Sequence, residues 1–275
     1  MVFGYAKLDQ PEVLQALFHP RRGETPPPPG AVDLELPAAA GIRLGARFFK
    51  AEQEAPTILF FHGNGEIVSD YDEIGPGFVA EGLNFLAVDY RGYGRSDGVP
   101  TVTGMLADAH AVFAEVRSWL ANEGYVVGTL LVMGRSLGSA PAIELMAAHQ
   151  EELAGLIIDS GFAFTIPLLL CLGVDVQALG LTEADGFKNQ LKIAQVRKPT
   201  YILHAQHDQI IPVQSAEVLQ AQCGARSKEF SMVPGADHNT IFDRTGRLYF
   251  QAIRRFADRV TRSAGDRRTR PHTRG

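Results

Sequence analysis

Short, continuous apolar runs alternate with longer amphipathic stretches along most of this chain, and that alternation limits the fold more than any other feature. Thr57–Phe61, Asn84–Val88, Thr129–Met133, Leu153–Ile158, Thr200–Leu203 and Lys228–Val233 read as strands. Most are apolar at nearly every position, as strands covered on both faces are. Ser69–Glu81, Met105–Asn122, Ser139–Gln150, Val213–Gln222 and Arg247–Thr261 carry helical patterns between or after them. Strand–helix–strand repetition predicts an α/β fold, a mostly parallel twisted sheet with helices on both faces. Ligands of such sheets bind beyond the carboxyl ends of the strands.

Two further strands, Val32–Leu36 and Ile42–Lys50, read as an opening antiparallel hairpin. Before them, residues 1–30 are expected to be an N-terminal segment ending in the stiff linker TPPPPG, Thr25–Gly30. The main domain is expected to span 31–261, a size that one α/β domain commonly reaches. From about 161 to 196 the rhythm breaks, over a stretch too long for a structureless loop. A small helical lid over the strand ends is expected there. Residues 262–275, rich in Arg, Thr and Gly, are expected to form a disordered tail.

The formal net charge of −5 argues against a nucleic-acid partner, which favours a basic domain or face. The longest strongly apolar run, Ile166–Val174, falls far short of the roughly 20 residues that cross a bilayer, so no transmembrane segment is expected. The N-terminus lacks the basic-then-apolar pattern of a secretory signal. Two cysteines, Cys171 and Cys223, make no disulfide framework and fit a reducing compartment. A cytoplasmic protein is the expectation. No H-E-x-x-H, C-x-x-C or His cluster at ligand spacing occurs, so neither metal nor cofactor is expected. The Gly-rich stretch Asp89–Gly98 matches no phosphate-binding loop and reads as a turn, with Tyr90 or Arg91 bordering the site.

The chemistry centres on Gly134-Arg135-Ser136-Leu137-Gly138, a G-x-S-x-G between the strand TLLVM and a helical stretch. That context is a nucleophile elbow, a turn so sharp that side chains at its flanks would collide with backbone. A serine hydroxyl needs a base to take its proton, and a carboxylate to orient that base. Asp208 follows the strand YILH, and His238 follows the strand EFSMV. Both lie downstream of Ser136 in the order serine, acid, histidine that elbow enzymes use. Asp237 and Asp159 compete as the acid. His207 and His204 read as structural, as do His62 and the helical His110. Acyl transfer also needs N–H donors aimed at the tetrahedral oxyanion. The backbone N–H of Leu137 would supply one and that of Asn64, after the strand TILFF, the other.

The successive segments HGNGE, DYRGYGRSDG, GRSLGSAPAI, HAQHDQIIP and PGADHNTIF resemble, in order, the motifs of the α/β-hydrolase family. Their wording is similar to the short-lid branch that includes the protein-depalmitoylating hydrolases and many bacterial members. The resemblance implies the α/β-hydrolase fold, a triad of Ser136, Asp208 and His238, and an oxyanion hole from Asn64 and Leu137. It implies hydrolysis of a carboxylic ester or thioester, with an amide or peptide hydrolase, an acyltransferase or a silent binding protein as the alternatives. The lid sequence matches no motif of that branch. Its apolar run, with Leu168 and Leu169, is expected to contact an apolar acyl group. The expected partner is a small-molecule or acylated substrate. No cysteine precedes Cys171, so the membrane attachment that depalmitoylating members make through an N-terminal cysteine cluster is not expected here.

Overall fold

The computed structural model describes residues 4–38 and 41–268. Its strands are β1 (Ala31–Pro37), β2 (Arg43–Phe49), β3 (Thr57–Phe61), β4 (Asn84–Val88), β5 (Leu130–Arg135), β6 (Gly155–Asp159), β7 (Thr200–Ala205) and β8 (Lys228–Val233). Among the described residues these form one sheet in the order β1-β2-β4-β3-β5-β6-β7-β8. β2 pairs antiparallel with β1 and β4, and every pairing from β4 to β8 is parallel. The architecture is the α/β-hydrolase fold that the sequence predicts.

The helices are α1 (Pro11–Leu17), α2 (Gly75–Ala80), α3 (Val102–Asn122), α4 (Ser139–Ala148), α5 (Thr165–Cys171), α6 (Asn189–Ile193), α7 (Gln214–Gln222), α8 (Ile241–Thr245) and α9 (Arg247–Arg268). They cover both sheet faces, because alternate side chains of a strand point to opposite sides. Leu59 and Phe61 of β3, Leu86 and Val88 of β4, and Leu130 and Val132 of β5 enter one core, shared with α1, α3 and α4. Ile58 and Phe60, Phe85 and Ala87, and Leu131 and Met133 enter the other, shared with α2, α8 and α9. Two-sided burial explains why these strands carry no alternating polar residue. In the second core the rings of Phe78 and Phe85 stack 4.2 Å apart. Each such fully buried side chain is worth about 1.5–3 kcal/mol.

Three local expectations change. The helix expected over Ser69–Glu81 is a 3-10 turn, Val68–Tyr71, followed by the separate α2. Pro76 in the first turn of α2 explains the break, since proline has no N–H and excludes the preceding helical turn. The N-terminal segment is structured well before the polyproline stretch. A 3-10 turn (Ala6–Asp9) and α1 bury Leu8, Val13 and Leu17, and Asp9 Oδ1 accepts the Val102 N–H at 2.8 Å. Finally, α9 continues to Arg268, beyond the Thr261 where the domain was expected to end; 269–275 lie outside the described residues.

The stretch expected as a lid holds the short helices α5 and α6 joined by turns. The Glu183 carboxylate accepts the N–H groups of Thr165 and Ile166 at 3.1 and 2.7 Å, capping the start of α5. Leu168 and Leu172, four residues apart, lie on one face toward the strand ends. Leu169 is wholly buried in the core, and Leu170 is exposed.

The β5–α4 crossing sets the position of the site. A Cβ at Gly138 would lie 2.1 Å from the Phe61 carbonyl oxygen of β3, and one at Gly134 would lie 2.0 Å from the Gly138 carbonyl oxygen. Both obstacles are backbone, so neither moves aside cheaply. Gly138→Ala is therefore expected to cost about 3 kcal/mol, the upper end for overpacking. A urea unfolding midpoint equal to that of the wild type would contradict the close packing described.

Candidate active site

β5 ends at Arg135, and the chain turns through Ser136 into α4. Ser136 adopts φ 53°, a left-handed conformation that a non-glycine residue holds only when its surroundings over-determine it. The Gly134 and Gly138 contacts and a 2.7 Å bond from the Ser139 hydroxyl to the Ser136 carbonyl supply that constraint. The turn lifts Ser136 Oγ above the sheet, with the start of α4 behind it.

Two loops at neighbouring strand ends reach this hydroxyl. After β7, Asp208 Oδ1 accepts the N–H groups of Ile210 and Ile211 at 3.0 and 2.8 Å, which fixes the carboxylate. After β8, His238 lies between the two side chains, its Nδ1 2.6 Å from Asp208 Oδ2 and its Nε2 2.9 Å from Ser136 Oγ. The carboxylate partner places the imidazole proton on Nδ1, leaving the Nε2 lone pair to accept the serine O–H. All three residues are at most 9% exposed. Burial pushes the Asp208 carboxyl up, but hydrogen bonds from His204 and His238 outweigh it and hold the group below the usual carboxylate range. The carboxylate thus stays charged beside the imidazole.

The competing assignments sit elsewhere. Asp159 is buried, bonded by the Tyr249 hydroxyl at 2.8 Å and the Ser160 hydroxyl at 3.0 Å. Asp237 is exposed and closes its own loop onto Asn239 and Thr240. His207 is exposed. His204 is fully buried behind Asp208, its Nε2–H donating to the Ile211 carbonyl at 2.7 Å and lying 3.4 Å from Asp208 Oδ2. His62 is wholly buried beside Asp89.

The loop after β3 passes over the elbow. Gly63 N–H donates to Glu66 Oε2 at 2.7 Å, and the Tyr71 hydroxyl donates to the same oxygen at 2.6 Å. The other Glu66 oxygen pairs with Arg135, whose Nη2 also donates to the His238 carbonyl at 2.9 Å. One ion pair therefore ties the loops after β3 and β8 to the elbow. Burial disfavours the Arg135 charge, but Glu66 together with Tyr71, Asp159 and Tyr249 outweighs it and keeps the guanidinium cationic. Sequence reasoning missed this pair, because Arg135 is the free position of G-x-S-x-G. Glu66 closing HGNGE was the available signal.

The backbone N–H groups of Asn64 and Leu137 donate to no loop or side-chain acceptor among the described residues. The Asn64 side chain is fully engaged instead: Oδ1 accepts the Tyr93 hydroxyl at 2.9 Å and the His19 N–H at 2.8 Å.

A cavity of about 280 Å³ opens onto Ser136 and His238, with apolar walls from Leu17, Leu168, Leu172 and Ile210. Leu168 is in its lining, and Leu169 is not. Tyr90 is outside the lining; its hydroxyl donates to the His62 carbonyl at 2.7 Å and so shapes the loop after β3. A second cavity, about 290 Å³, lies across Arg135 and Asn239, walled by aromatic rings such as Phe60, Tyr71 and Tyr249; Ser136 is not part of its lining. Among the described residues no group of three or more His, Cys, Asp or Glu side chains is arranged to hold a metal, and no helix is long and apolar enough to cross a membrane.

Comparison with known proteins agrees with this fold. The family model described as serine aminopeptidase, S33, matches residues 52–193, just over half of the chain. That segment contains Ser136 and ends before Asp208 and His238. An uncharacterized protein of Mycobacterium tuberculosis is 30% identical over 247 residues, covering 87% of this chain and 85% of its own length. Human alpha/beta hydrolase domain-containing protein 17B is 30% identical over 80% of this chain and 72% of its own. A Pyrococcus furiosus esterase shares the fold with a TM-score of 0.71 at 16% identity, over 88% of this chain and 98% of that one. A soluble variant of Saccharomyces cerevisiae monoglyceride lipase does so with a TM-score of 0.66 at 18% identity, over 86% and 96%. By its elbow, its sheet and these relatives, the chain belongs to the α/β-hydrolase family of serine hydrolases.

Proposed function

We propose that this protein hydrolyses carboxylic esters or thioesters of apolar acyl groups through a serine acyl-enzyme. One observation carries the reading: His238 Nε2 lies 2.9 Å from Ser136 Oγ while its Nδ1 lies 2.6 Å from Asp208. As Ser136 Oγ attacks the acyl carbonyl carbon, His238 Nε2 takes its proton. The carbonyl electron pair moves onto oxygen, where the N–H groups of Asn64 and Leu137 receive it; each such donor is typically worth about 10²–10³ in rate. Asp208 holds the tautomer and stabilises the imidazolium. The carbonyl re-forms as the C–O or C–S bond breaks, and Nε2 returns the proton to the leaving oxygen or sulfur. Water then attacks the acyl-enzyme by the same steps, releasing the acid and restoring Ser136.

The apolar walls, with α5 as a lid, favour an apolar acyl group. The description of the matching family supports a second reading, cleavage of an aminoacyl amide. That substrate would need a free carboxylate for its ammonium group. Glu66, on the cavity wall, is already committed to Arg135, Tyr71 and the Gly63 N–H. Esters and thioesters therefore fit better. Unpaired Cys171 and Cys223 are in keeping with the cytoplasmic setting this reading expects.

A panel of p-nitrophenyl acyl esters, acyl thioesters and aminoacyl anilides tests the proposal. Turnover of esters or thioesters is expected, falling by about 10⁴–10⁶ in kcat for Ser136→Ala. Turnover of anilides alone would replace the first reading with the second. Asp208→Asn is expected to lower kcat by about 10⁴ with KM little changed, because the imidazole then settles in the wrong tautomer. A loss below tenfold would remove Asp208 from the mechanism.

A further inference from the structure

The segment before the hairpin reaches the catalytic cavity, and no part of the proposed chemistry uses it. It precedes residue 52, where the family match begins. It is firmly held: Val13 and Leu17 of α1 are at most 1% exposed, Phe18 is buried, and Arg21 donates through Nε to the Gly65 carbonyl at 2.8 Å. The Arg21 carbonyl accepts the Gly94 N–H at 2.9 Å. Leu17 and His19 both line the cavity that contains Ser136 and His238.

The contact at Asn64 is two-pronged. Its Oδ1 accepts the His19 N–H at 2.8 Å, and its Nδ2 lies 2.9 Å from His19 Nδ1. An amide NH₂ only donates, so His19 Nδ1 is the acceptor and the ring carries its proton on Nε2. The two bonds grip the residue whose backbone N–H is the proposed oxyanion donor. Arg21 holds the following residue, Gly65, from the same strand of chain.

We infer that the N-terminal segment completes the active site, with His19 positioning the oxyanion loop through Asn64 and Leu17 setting the acyl length the cavity accepts. This rests on the ester or thioester reading given above. A cavity of about 150 Å³ holds a benzene molecule. The 280 Å³ here then suits an acyl group of roughly ten heavy atoms, scaled from that case. Leu17 is the apolar wall that this segment contributes. Shortening it lengthens the room, and each methylene that gains a place there is worth about tenfold or more in specificity.

The test is kcat and KM for p-nitrophenyl esters from C2 to C16, on wild type, Leu17→Ala, Leu17→Val, His19→Ala and His19→Asn. Leu17→Ala is expected to move the optimum about two to three carbons longer, with at least a tenfold change in the kcat/KM ratio of neighbouring lengths. Leu17→Val, the gentler change should the alanine variant not fold, is expected to move it the same way by about one carbon. His19→Ala is expected to lower kcat by about 10–100-fold with KM within twofold. His19→Asn, whose Oδ1 can take the place of Nδ1, is expected to recover most of that loss. A structural brace alone would change stability without this kcat-only loss or its rescue. An unmoved length profile in both folded Leu17 variants, or a His19→Ala kcat within twofold of wild type, overturns the inference and leaves the ester reading standing. A wild type that turns over none of the esters or thioesters overturns both.

Discussion

Backbone packed directly on backbone at the start of α4 is the constraint from which the site follows. Gly138 touches the Phe61 carbonyl of β3, and Gly134 touches Gly138, at distances no side chain survives. That contact brings α4 down onto the sheet and forces Ser136 into a left-handed conformation, a strain of about 1–3 kcal/mol. The sheet holds it because β3 and β5 are buried on both faces and paired along their length. The same contact fixes the elbow relative to the loop after β3, so the proposed nucleophile and the proposed oxyanion donors share one rigid reference.

Electrostatics then locks the loops to that reference. Arg135 and Glu66 are an ion pair with few free valences: the carboxylate also takes the Gly63 N–H and the Tyr71 hydroxyl, and the guanidinium also takes the His238 carbonyl. A half-buried pair of this kind contributes more to geometry than to net stability, since desolvation offsets much of its attraction. Here the geometry it specifies is the reach from Ser136 to His238. Behind Asp208, the N–H groups of Ile210 and Ile211 and the His204 ring do the corresponding work for the carboxylate.

Much of this was legible in the sequence because it is encoded locally. The strand runs are apolar on both faces, so their parallel sheet could be read without coordinates, and the elbow carries its glycines in a five-residue word. Ser136, Asp208 and His238 were placed from strand ends together with the serine, acid, histidine order of elbow enzymes, with Asp159 and Asp237 still competing as the acid. What escaped was non-local. Arg135 and Glu66 are 69 positions apart, and of the two only Glu66, closing HGNGE, offered a signal. His19 meets Asn64 across 45 positions, and the polyproline stretch made its surroundings read as linker. Tyr90 was placed at the substrate because its loop reaches the site, and Leu169 because the lid run is apolar, but neither gives a side chain's direction. Tyr90 points to the His62 carbonyl and Leu169 into the core. The break before α2 was visible in Pro76 and was overridden by the apolar pattern around it.

A strained serine, an oriented imidazole and a charged, hydrogen-bonded carboxylate meet at one place in the chain, and the proposal is that the hydroxyl there is reactive. Active-site titration reads that property without assuming a substrate. The protein is treated with a fluorophosphonate, weighed intact and digested, and the modified peptide is sequenced. The account predicts one adduct per chain, on Ser136, and none on Ser136→Ala. No adduct, or one that persists in Ser136→Ala, would contradict it.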